Sequence, residues 1–448
     1  MNMRQQKQHT VIISFDAVYE ADFAYLKTLP NIAYLLQHGS YSTEVQTIYP
    51  TITYPIHTSI LTGCYPDRHG IFHNHHLQPT IKNDKYRTWH WYHSEIKTPT
   101  LLDVAKQHKK KVGAIFWPVT GNANIDYNLP EIIALPGENQ TLKILKAGSP
   151  MFLLKNELKY KKLRKGIEEP YLADFATKVT TNLLKTNKPD LTLLHLVSVD
   201  TMRHAYGVTH EQVKLALKQY DKSVGEIMDV LKESKMWDNS NIFITTDHGQ
   251  IDVKTYASVN AYLVKAGLQQ WVNGVLDYQV YAQSIGMGAY LHFNYNNITN
   301  IDQVLETLDQ VVEQMIEDKI VVRLDTKDDL IVRGCSEPFD ASLEAYPNTY
   351  ITDSVYHEFG LSKIDIKDIT DSMWNTIYYD RYFATHGYDE RLPGYKNIFI
   401  AYGPKVKTHY NIGPMHIVDI APTIANLIGL TFPECDGKLL ATLRKEEV

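Results

Sequence analysis

Residues 10–18 read TVIISFDAV, a short apolar run that ends at Asp16. Apolar runs of this length are typical of strands that are buried on both faces of a parallel sheet. Four more stretches have the same form, and they are KKVGAIFW (110–117), LTLLHLVSVD (191–200), NIFITTDHG (241–249) and NIFIAYGP (397–404). We predict that these five strands belong to one mostly parallel sheet.

Helical patterns lie between and after these strands. In EQVKLALKQYDKSVGEIMDVLKES (211–234) apolar residues recur every three or four positions, which predicts an amphipathic helix. The stretch HIVDIAPTIANLIGL (416–430) predicts a closing helix that ends near Gly429. Strands that alternate with helices predict an α/β fold with a doubly wound, mostly parallel sheet.

Residues 259–349 interrupt this alternation. Here the helix VNAYLVKAGL is followed by a strand MGAYLHFNY, a helix DQVLETLDQVVEQMIED, and two strands, KIVVRLD and DDLIVRG. We predict a small α+β insertion subdomain over 259–349. The core domain is then expected to consist of residues 1–258 and 350–448.

The charge balance excludes one broad class of partner. The 448 residues carry a net charge of −6, so we predict no nucleic-acid-binding surface. The basic run KYKKLRKG (159–166) is the one concentration of positive charge, and such runs are usually solvated helix faces. We therefore expect a small-molecule partner rather than a nucleic acid or a membrane.

The cysteines and the apolar segments predict a location. Three cysteines, Cys64, Cys335 and Cys435, are too few and too scattered for a disulfide framework or a cysteine metal site, which favours a reducing compartment. The N-terminal residues lack the apolar stretch of a signal peptide, and no apolar run reaches 18 residues. We expect a cytoplasmic protein without a membrane span.

Carboxylate and imidazole side chains follow the predicted strands. The carboxyl ends of parallel strands meet at one edge of a sheet, where α/β proteins bind their ligands. Aspartate and neutral histidine are ligands that suit Zn²⁺ and also Mn²⁺. Six such residues would supply two three-ligand sites, and they are Asp16, Asp200, His204, Asp247, His248 and His386. Each residue alone is weak evidence, because a strand-end aspartate is commonly a helix cap.

The order of the motifs adds specificity. After Asp16 come TIYPTITYPIHT and LTGCYPDRHG, then DTMRHAYG, TDHG and HGYDE, and finally DIAPTIANLIGL. This succession resembles the alkaline phosphatase superfamily over about residues 10–258 and 350–440. Within that superfamily it is most similar to the type I phosphodiesterase / nucleotide pyrophosphatase family.

The resemblance implies an alkaline phosphatase-like α/β fold and an active site with two divalent metal ions, usually zinc, with manganese as an alternative. It places Asp16, Asp247 and His248 at one ion. It places the other three predicted ligands, Asp200, His204 and His386, at the second ion. Thr53 matches the family's nucleophile, and Thr51, two residues earlier, is the alternative.

The residues around Thr53 agree with a nucleophilic role. A threonine hydroxyl is a poor nucleophile at neutral pH, but coordination to a divalent ion lowers its pKa. Pro55 predicts that a helix begins at this point, and a helix N-terminus favours phosphoryl oxygens. His57 and His69 flank the threonine, and we interpret both as structural.

Other features bear on the substrate. CYPDR (64–68) resembles the sulfatase motif C-x-P-x-R. In sulfatases that motif precedes the LTG turn, whereas here it follows the turn, so we discard a sulfatase function. The family carries an asparagine three residues after the nucleophile, where this chain has Ile56. It also carries an aromatic residue five positions before the Asp200 motif, where this chain has His195. Tyr54 and Trp117 are the remaining candidate platforms for a substrate, and with His195 they are the candidate substrate-binding residues.

Two-metal phosphoester hydrolysis is the function that these residues predict. The leading hypothesis is a phosphodiesterase or nucleotide pyrophosphatase that acts through a phosphothreonine at Thr53. A phosphomonoesterase, phosphonate hydrolase or phosphosugar mutase is the alternative, with Arg68 and Arg203 as candidate extra cations. A binding protein without catalysis is the third hypothesis, and the filled ligand positions argue against it.

Overall fold

The computed structural model describes residues 7–81, 84–272, 275–353, 362–376 and 381–445. The prediction that the N-terminal residues are not a signal peptide concerns residues 1–6 among others, and these six lie outside the described residues. The strands are β1 (His9–Phe15), β2 (Ser40–Gln46), β3 (Val112–Ile115), β4 (Tyr127–Leu129), β5 (Leu191–Leu196), β6 (Ser240–Thr246), β7 (Ile251–Asp252), β8 (Thr255–Ala257), β9 (Gln269–Val272), β10 (Val275–Tyr278), β11 (Val280–Ser284), β12 (Gly288–Phe293), β13 (Val321–Asp325), β14 (Ala341–Ala345), β15 (Thr349–Ile351), β16 (Lys363–Asp365), β17 (Ala384–Thr385), β18 (Asn397–Tyr402), β19 (Tyr410–Asn411) and β20 (Met415–His416).

The α-helices cover both faces of the main sheet and the insertion. They are α1 (Phe23–Leu26), α2 (Pro30–His38), α3 (Thr53–Thr62), α4 (Pro66–His69), α5 (Leu101–Gln107), α6 (Gln140–Ala147), α7 (Pro150–Tyr160), α8 (Tyr171–Thr186), α9 (Ser198–Tyr206), α10 (Glu211–Glu233), α11 (Val259–Lys265), α12 (Ile301–Glu317), α13 (Lys327–Ile331), α14 (Asp371–Thr376) and α15 (Ile420–Leu427). The predicted helices 211–234 and 416–430 correspond to α10 and to α15 with the turn before it.

The main sheet has nine strands within the described ranges, in the order β19-β2-β18-β6-β1-β5-β3-β4, with β20 paired to β2. The four neighbours β6, β1, β5 and β3 run parallel. The predicted strand NIFIAYGP, now β18, is antiparallel to both β6 and β2. The prediction of a mostly parallel α/β sheet is confirmed, with β18 as the exception.

Alternate residues of the central strand enter different cores. Val11, Ile13 and Phe15 pack with α2, α8 and α10 on one face, where the ring of Phe15 stacks on Tyr220 at 4.7 Å. Ile12 packs with α3, α5 and α15 on the other face. Because helices cover both faces, β1, β5 and β6 carry no aspartate, glutamate, lysine or arginine, and this makes them recognisable as largely apolar runs in the sequence.

The predicted insertion folds around a second sheet. Strands β11, β12, β14 and β13 form an antiparallel sheet that packs against α12. The predicted strand DDLIVRG was wrong, because residues 327–331 form helix α13. The side chain of Asp329 accepts hydrogen bonds from the Thr326 N–H at 2.9 Å and from the Thr326 hydroxyl at 2.7 Å, and this capping box starts the helix.

The apolar cluster of this insertion extends past the predicted bounds of 259–349. It includes Val253 and Tyr256 before them and Trp374 and Tyr388 after them. The three cysteines are free thiols. Among the described helices, none is long and apolar enough to cross a membrane.

Candidate active site

Because β1 and β6 run parallel and in register, the carboxylates that follow them lie side by side at the carboxyl edge of the sheet. Phe15 at the end of β1 pairs with Thr246 at the end of β6. The next residues along the two strands are Asp16 and Asp247, and both are buried. Oδ1 of Asp247 accepts hydrogen bonds from the backbone N–H groups of Ala17 at 3.0 Å and His248 at 2.8 Å. These bonds fix the carboxylate and leave Oδ2 to face the site.

Helix α9 begins directly after β5 and carries two more of the predicted ligands. Asp200 and His204 stand one helical turn apart, with Oδ1 of Asp200 at 3.3 Å from Nε2 of His204. The Nδ1 of His204 donates to the Ala384 carbonyl at 2.7 Å, which turns Nε2 toward the site. His386 follows β17, and its Nε2 lies 4.0 Å from Oδ1 of Asp200. The structure therefore brings Asp200, His204 and His386 together.

His248 joins the first pair of carboxylates. Its Nδ1 donates to the Gly249 carbonyl at 3.2 Å, so Nε2 carries the free lone pair. That nitrogen lies 3.3 Å from Oδ2 of Asp247 and 3.7 Å from Oδ1 of Asp16. Ligand atoms of Asp16, His248 and Asp200 also lie within 4.8 Å of one another, so the two groups of ligands adjoin.

The electrostatics of these carboxylates favour bound cations. Burial, together with the charges of Asp247 and Asp200, holds the pKa of Asp16 well above its ordinary value. Burial raises the pKa of Asp247 to about 7. Burial would also raise the pKa of Asp200, but the imidazoles of His204 and His386 outweigh it and lower that pKa. Within the described chain, Oδ1 of Asp16 and Oδ2 of Asp247 have no hydrogen-bond partner. Orphaned carboxylate oxygens beside free imidazole nitrogens fit divalent metal ions.

Thr53 is the first residue of α3 and faces this group. Its Oγ1 lies 3.2 Å from Nε2 of His248. The alternative, Thr51, is fully buried, and its hydroxyl donates to the Tyr388 carbonyl at 2.7 Å. Thr53 lines the cavity beside the carboxylates, whereas Thr51 is absent from the cavity lining within the described residues.

The two flanking histidines have structural contacts. His57 is fully buried, with Nδ1 at 2.8 Å from the Thr53 carbonyl and Nε2 at 2.8 Å from the Ser14 hydroxyl. His69 is also buried, with Nε2 at 3.0 Å from the Ser59 hydroxyl. Both rings fix the position of α3, as the interpretation of these residues as structural requires.

The cavity above Thr53 has a volume of about 260 Å³ and contains a polar residue that the sequence patterns do not reveal. Asn74 lines it, and its Oδ1 accepts a hydrogen bond from the Tyr54 N–H at 2.9 Å. The resemblance implies that position 56 faces the substrate. Ile56 instead packs in the core beneath the sheet, because it lies on the inner side of α3. No local pattern connects Asn74 with Thr53, since a loop brings them together.

Comparison with known proteins decides the family. A family model described as type I phosphodiesterase / nucleotide pyrophosphatase matches residues 10–338. The chain belongs to this family. Ectonucleotide pyrophosphatase/phosphodiesterase family member 1 of Homo sapiens is 29% identical over 271 residues, which cover 57% of this chain and 25% of the human protein. The chain thus spans about a quarter of that relative's length.

Two further relatives match nearly the whole chain. The bis(5'-adenosyl)-triphosphatase enpp4 of Xenopus laevis is 23% identical over 444 residues, which cover 96% of this chain and 80% of that protein. The structure of murine ectonucleotide pyrophosphatase/phosphodiesterase 5 has a TM-score of 0.66 at 17% identity. That match covers 98% of this chain and all of the murine chain, and it shows the shared alkaline phosphatase-like fold.

Two of the three predicted substrate-binding residues, Trp117 and His195, are not among the described residues that line this cavity. Trp117 is fully buried, edge-on to His57, and presents no face to the cavity. His195 is also buried, with Nε2 at 3.1 Å from Asp16 and Nδ1 at 3.1 Å from Glu131. Both residues lie on or just after central strands and point into the protein. Tyr54 does line the cavity, and it stays a candidate platform.

Other aromatic residues form a wall of the cavity that the sequence patterns do not reveal. Trp89 and Tyr382 are half-buried and line the cavity, where the ring of Tyr382 lies 4.2 Å from the ring of His204. Tyr256 and Tyr350 lie behind them, at the junction with the insertion. The chain has 30 tyrosines, so composition alone could not single out these three.

The candidate extra cations lie elsewhere. Arg68 is exposed and pairs with Asp436 at 2.7 Å. Arg203 is buried and pairs with Asp22 at 2.7 Å. Neither is among the described residues that line the cavity. Arg87 does line it, and its guanidinium forms an ion pair with Asp353.

Proposed function

We propose that this protein is a metal-dependent phosphodiesterase or nucleotide pyrophosphatase in which Thr53 is the nucleophile. One observation carries the proposal: Oγ1 of Thr53 faces the cavity at the start of α3, 3.2 Å from a histidine of the carboxylate–imidazole group. The hydroxyl therefore stands where a phosphoryl group could contact both the helix N-terminus and the ligand residues.

The metal ions would be held by the predicted ligands in two sets. Asp16, Asp247 and His248 form one set, and Asp200, His204 and His386 form the other. When bound, divalent ions would lower the pKa of the attacking hydroxyl and offset charge on the phosphoryl oxygens. We propose zinc for these sites and manganese as the alternative, because carboxylate and imidazole ligands suit both.

The chain's own residues define two steps. In the first, the bond between Thr53 Oγ1 and phosphorus forms while the bond from phosphorus to the leaving oxygen breaks, and the hydroxyl proton passes through solvent to the leaving oxygen. In the second, a water oxygen attacks phosphorus, the Oγ1–phosphorus bond breaks, and a proton of that water passes to Oγ1, which restores the threonine. The amide of Asn74, held by the Tyr54 N–H, is the neutral donor for a phosphoryl oxygen.

Relatives support a nucleotide as the substrate class. The Xenopus laevis protein is named a bis(5'-adenosyl)-triphosphatase. A structure of murine family member 5, described as an inactive threonine-to-alanine variant, is a complex with AMP. In this chain, Trp89, Tyr382 and Tyr54 offer aromatic surface for a base beside Thr53. A cytoplasmic location remains a prediction based on the free cysteines.

The test is turnover of a dinucleotide-like diester by Thr53 variants at saturating Zn²⁺ or Mn²⁺. Thr53→Ala should lower kcat by about four to six orders of magnitude, as loss of a nucleophile does in other hydrolases. Thr53→Ser should keep part of the activity, because it retains the hydroxyl. Chelation should abolish turnover, and added metal should restore it.

Thr51→Val is the matched control. It removes the hydrogen bond to the Tyr388 carbonyl, which should cost about 1 kcal/mol of stability and leave kcat near the wild-type value. An inactive Thr51→Val protein beside an active Thr53→Ala protein would overturn the assignment of the nucleophile.

A further inference from the structure

A second group of metal-ligating side chains lies outside the active site, on the segment that forms one wall of the cavity. Residues 75 and 89 form a bridge between two extended stretches. Two backbone hydrogen bonds continue it, from the His76 N–H to the Thr88 carbonyl at 3.1 Å and from the His90 N–H to the Asn74 carbonyl at 2.9 Å. This pairing places His76 and His90 side by side, with ring centroids 4.0 Å apart.

Glu95 completes the group. Its Oε2 lies 2.6 Å from Nδ1 of His90 and 3.3 Å from Nε2 of His76. Its other oxygen, Oε1, accepts a hydrogen bond from the Tyr92 N–H at 3.2 Å. The backbone thereby orients the carboxylate, as outer hydrogen-bond partners do for metal ligands. The three ligand atoms lie within 4.8 Å of one another.

The spacing suits a tetrahedral ion. Ligands at about 2.0 to 2.1 Å from zinc stand roughly 3.3 Å apart at tetrahedral angles. The His76–Glu95 distance has this value already, and the His90–Glu95 distance would lengthen by about 0.7 Å when an ion enters. The side chains of His76, His90 and Glu95 are 42%, 17% and 23% exposed, so solvent ions can reach them.

We propose that His76, His90 and Glu95 bind a third divalent ion of the zinc class, with the fourth position open to water. This ion is separate from the catalytic pair, and its ligands belong to neither catalytic set. It would tie together the two stretches that carry Asn74 and Trp89 to the cavity. Its role is therefore to hold the substrate-facing wall in place.

The test counts metal. Metal-depleted full-length protein is reloaded with Zn²⁺, desalted, and its zinc content per chain is measured by elemental mass spectrometry. His90→Gln should hold one zinc fewer than the wild-type protein, and so should Glu95→Gln, which keeps the size of the side chain. His108→Gln is the matched control, because the His108 imidazole hydrogen-bonds the Val104 carbonyl and belongs to none of the proposed ligand sets, and it should keep the wild-type content.

The difference of one ion, rather than the total, decides the outcome, so the result does not depend on the proposed catalytic function. In an Asp200→Asn, Asp247→Asn background, calorimetric titration with Zn²⁺ should retain a binding event that His90→Gln removes. A wild-type zinc content in both His90→Gln and Glu95→Gln, with circular dichroism showing both folded, would overturn the site. Loss of this third ion should also raise KM more than it lowers kcat, because the ion is proposed to hold the substrate-facing wall and not the reacting groups.

Discussion

His195 contacts Asp16, one of the proposed metal ligands, from the side of the protein interior. Its imidazole bridges two carboxylates, Asp16 and Glu131, at 3.1 Å from each. Burial alone would lower its pKa, but the hydrogen bonds to these two carboxylates outweigh it and raise the pKa well above the ordinary value. The imidazole of His195 therefore holds Asp16 in place through this hydrogen bond, and we assign it as a positioning residue.

His195→Gln is predicted to weaken the catalytic metal set without unfolding the protein. Loss of an outer hydrogen-bond partner of a metal ligand typically lowers metal affinity or activity by about 10- to 100-fold. The measurement is kcat as a function of free Zn²⁺ concentration. The midpoint should move to higher zinc, and high zinc should restore part of the activity. An unchanged midpoint would show that His195 has no such role.

At the scale of elements, the insertion contacts the loop that carries His386, a proposed metal ligand. The Met287 N–H donates to the His386 carbonyl at 3.0 Å, and the Gly387 N–H donates to the Thr51 carbonyl at 3.0 Å. Gly387 has a φ of 86°, and a Cβ added there would lie 1.6 Å from the Ile285 carbonyl oxygen. The position thus needs glycine for its backbone angle and for the close approach of the insertion.

Gly387→Ala is predicted to destabilise the protein and displace His386. Gly394→Ala is its matched control, since Gly394 has a φ of 85° and nothing within 4 Å of an added Cβ. The control should lose only about 1 to 2 kcal/mol for the left-handed backbone. Gly387→Ala should lose a further 1 to 3 kcal/mol or so from overpacking, together with most activity. Urea unfolding measures both, and equal losses would contradict the contact.

For the whole molecule, buried neutral histidines set the response to acid. Burial lowers the pKa of His69 to about 3 and the pKa of His292 to about 4, and it holds those of His73 and His75 well below the ordinary value. Between pH 6.5 and 4 these four histidines therefore bind more protons in the unfolded chain than in the folded one. Their contribution to stability falls as the pH falls through this window.

The acid effect can be measured by urea unfolding of the metal-depleted protein at several pH values from 7 to 4. Each histidine that is neutral in the folded state and protonated in the unfolded state changes the unfolding free energy by up to about 1.4 kcal/mol per pH unit. His292→Gln should reduce the slope of the unfolding free energy against pH near pH 5 by up to about 1.4 kcal/mol per pH unit, the contribution of one proton. The reason is that the unfolded variant no longer takes up a proton at position 292. A variant with the wild-type slope would refute the role of His292.

We expect net charge in the cavity to govern the choice between diesters and monoesters. Two divalent ions would be nearly balanced by three aspartates and the ionised Thr53, so a dianionic monoester needs another cation. Arg87 is the arginine among the described lining residues, and Asp353 neutralises it. We expect kcat/KM for bis-p-nitrophenyl phosphate to exceed that for p-nitrophenyl phosphate by roughly tenfold, a difference of about 1.4 kcal/mol.

Asp353→Asn tests the physical reason for this preference. The substitution removes the charge that offsets Arg87, so the ratio of diester to monoester kcat/KM should fall. A wild-type ratio below one would favour the phosphomonoesterase alternative. An unchanged ratio in Asp353→Asn would show that Arg87 does not contribute to the preference.

Local patterns along the chain predict the central strands and most of the residues available for chemistry. The apolar runs β1, β5 and β6 are local patterns, and the carboxyl ends of parallel strands necessarily meet at one edge. The convergence of Asp16, Asp200 and Asp247 is therefore predictable from the order of strands along the chain. The i, i+4 spacing of Asp200 and His204 likewise places both side chains on one side of a helix, because that relation is local.

Packing between distant segments sets which side chains face the cavity. His195 and Trp117 point into the protein interior. A loop brings Asn74 close to Thr53, and Tyr382, which follows the insertion in the sequence, reaches the same cavity. The pairing of His76 with His90 likewise depends on a bridge between separate stretches. Side-chain direction at such places follows from packing between residues distant in sequence, and no local periodicity encodes it.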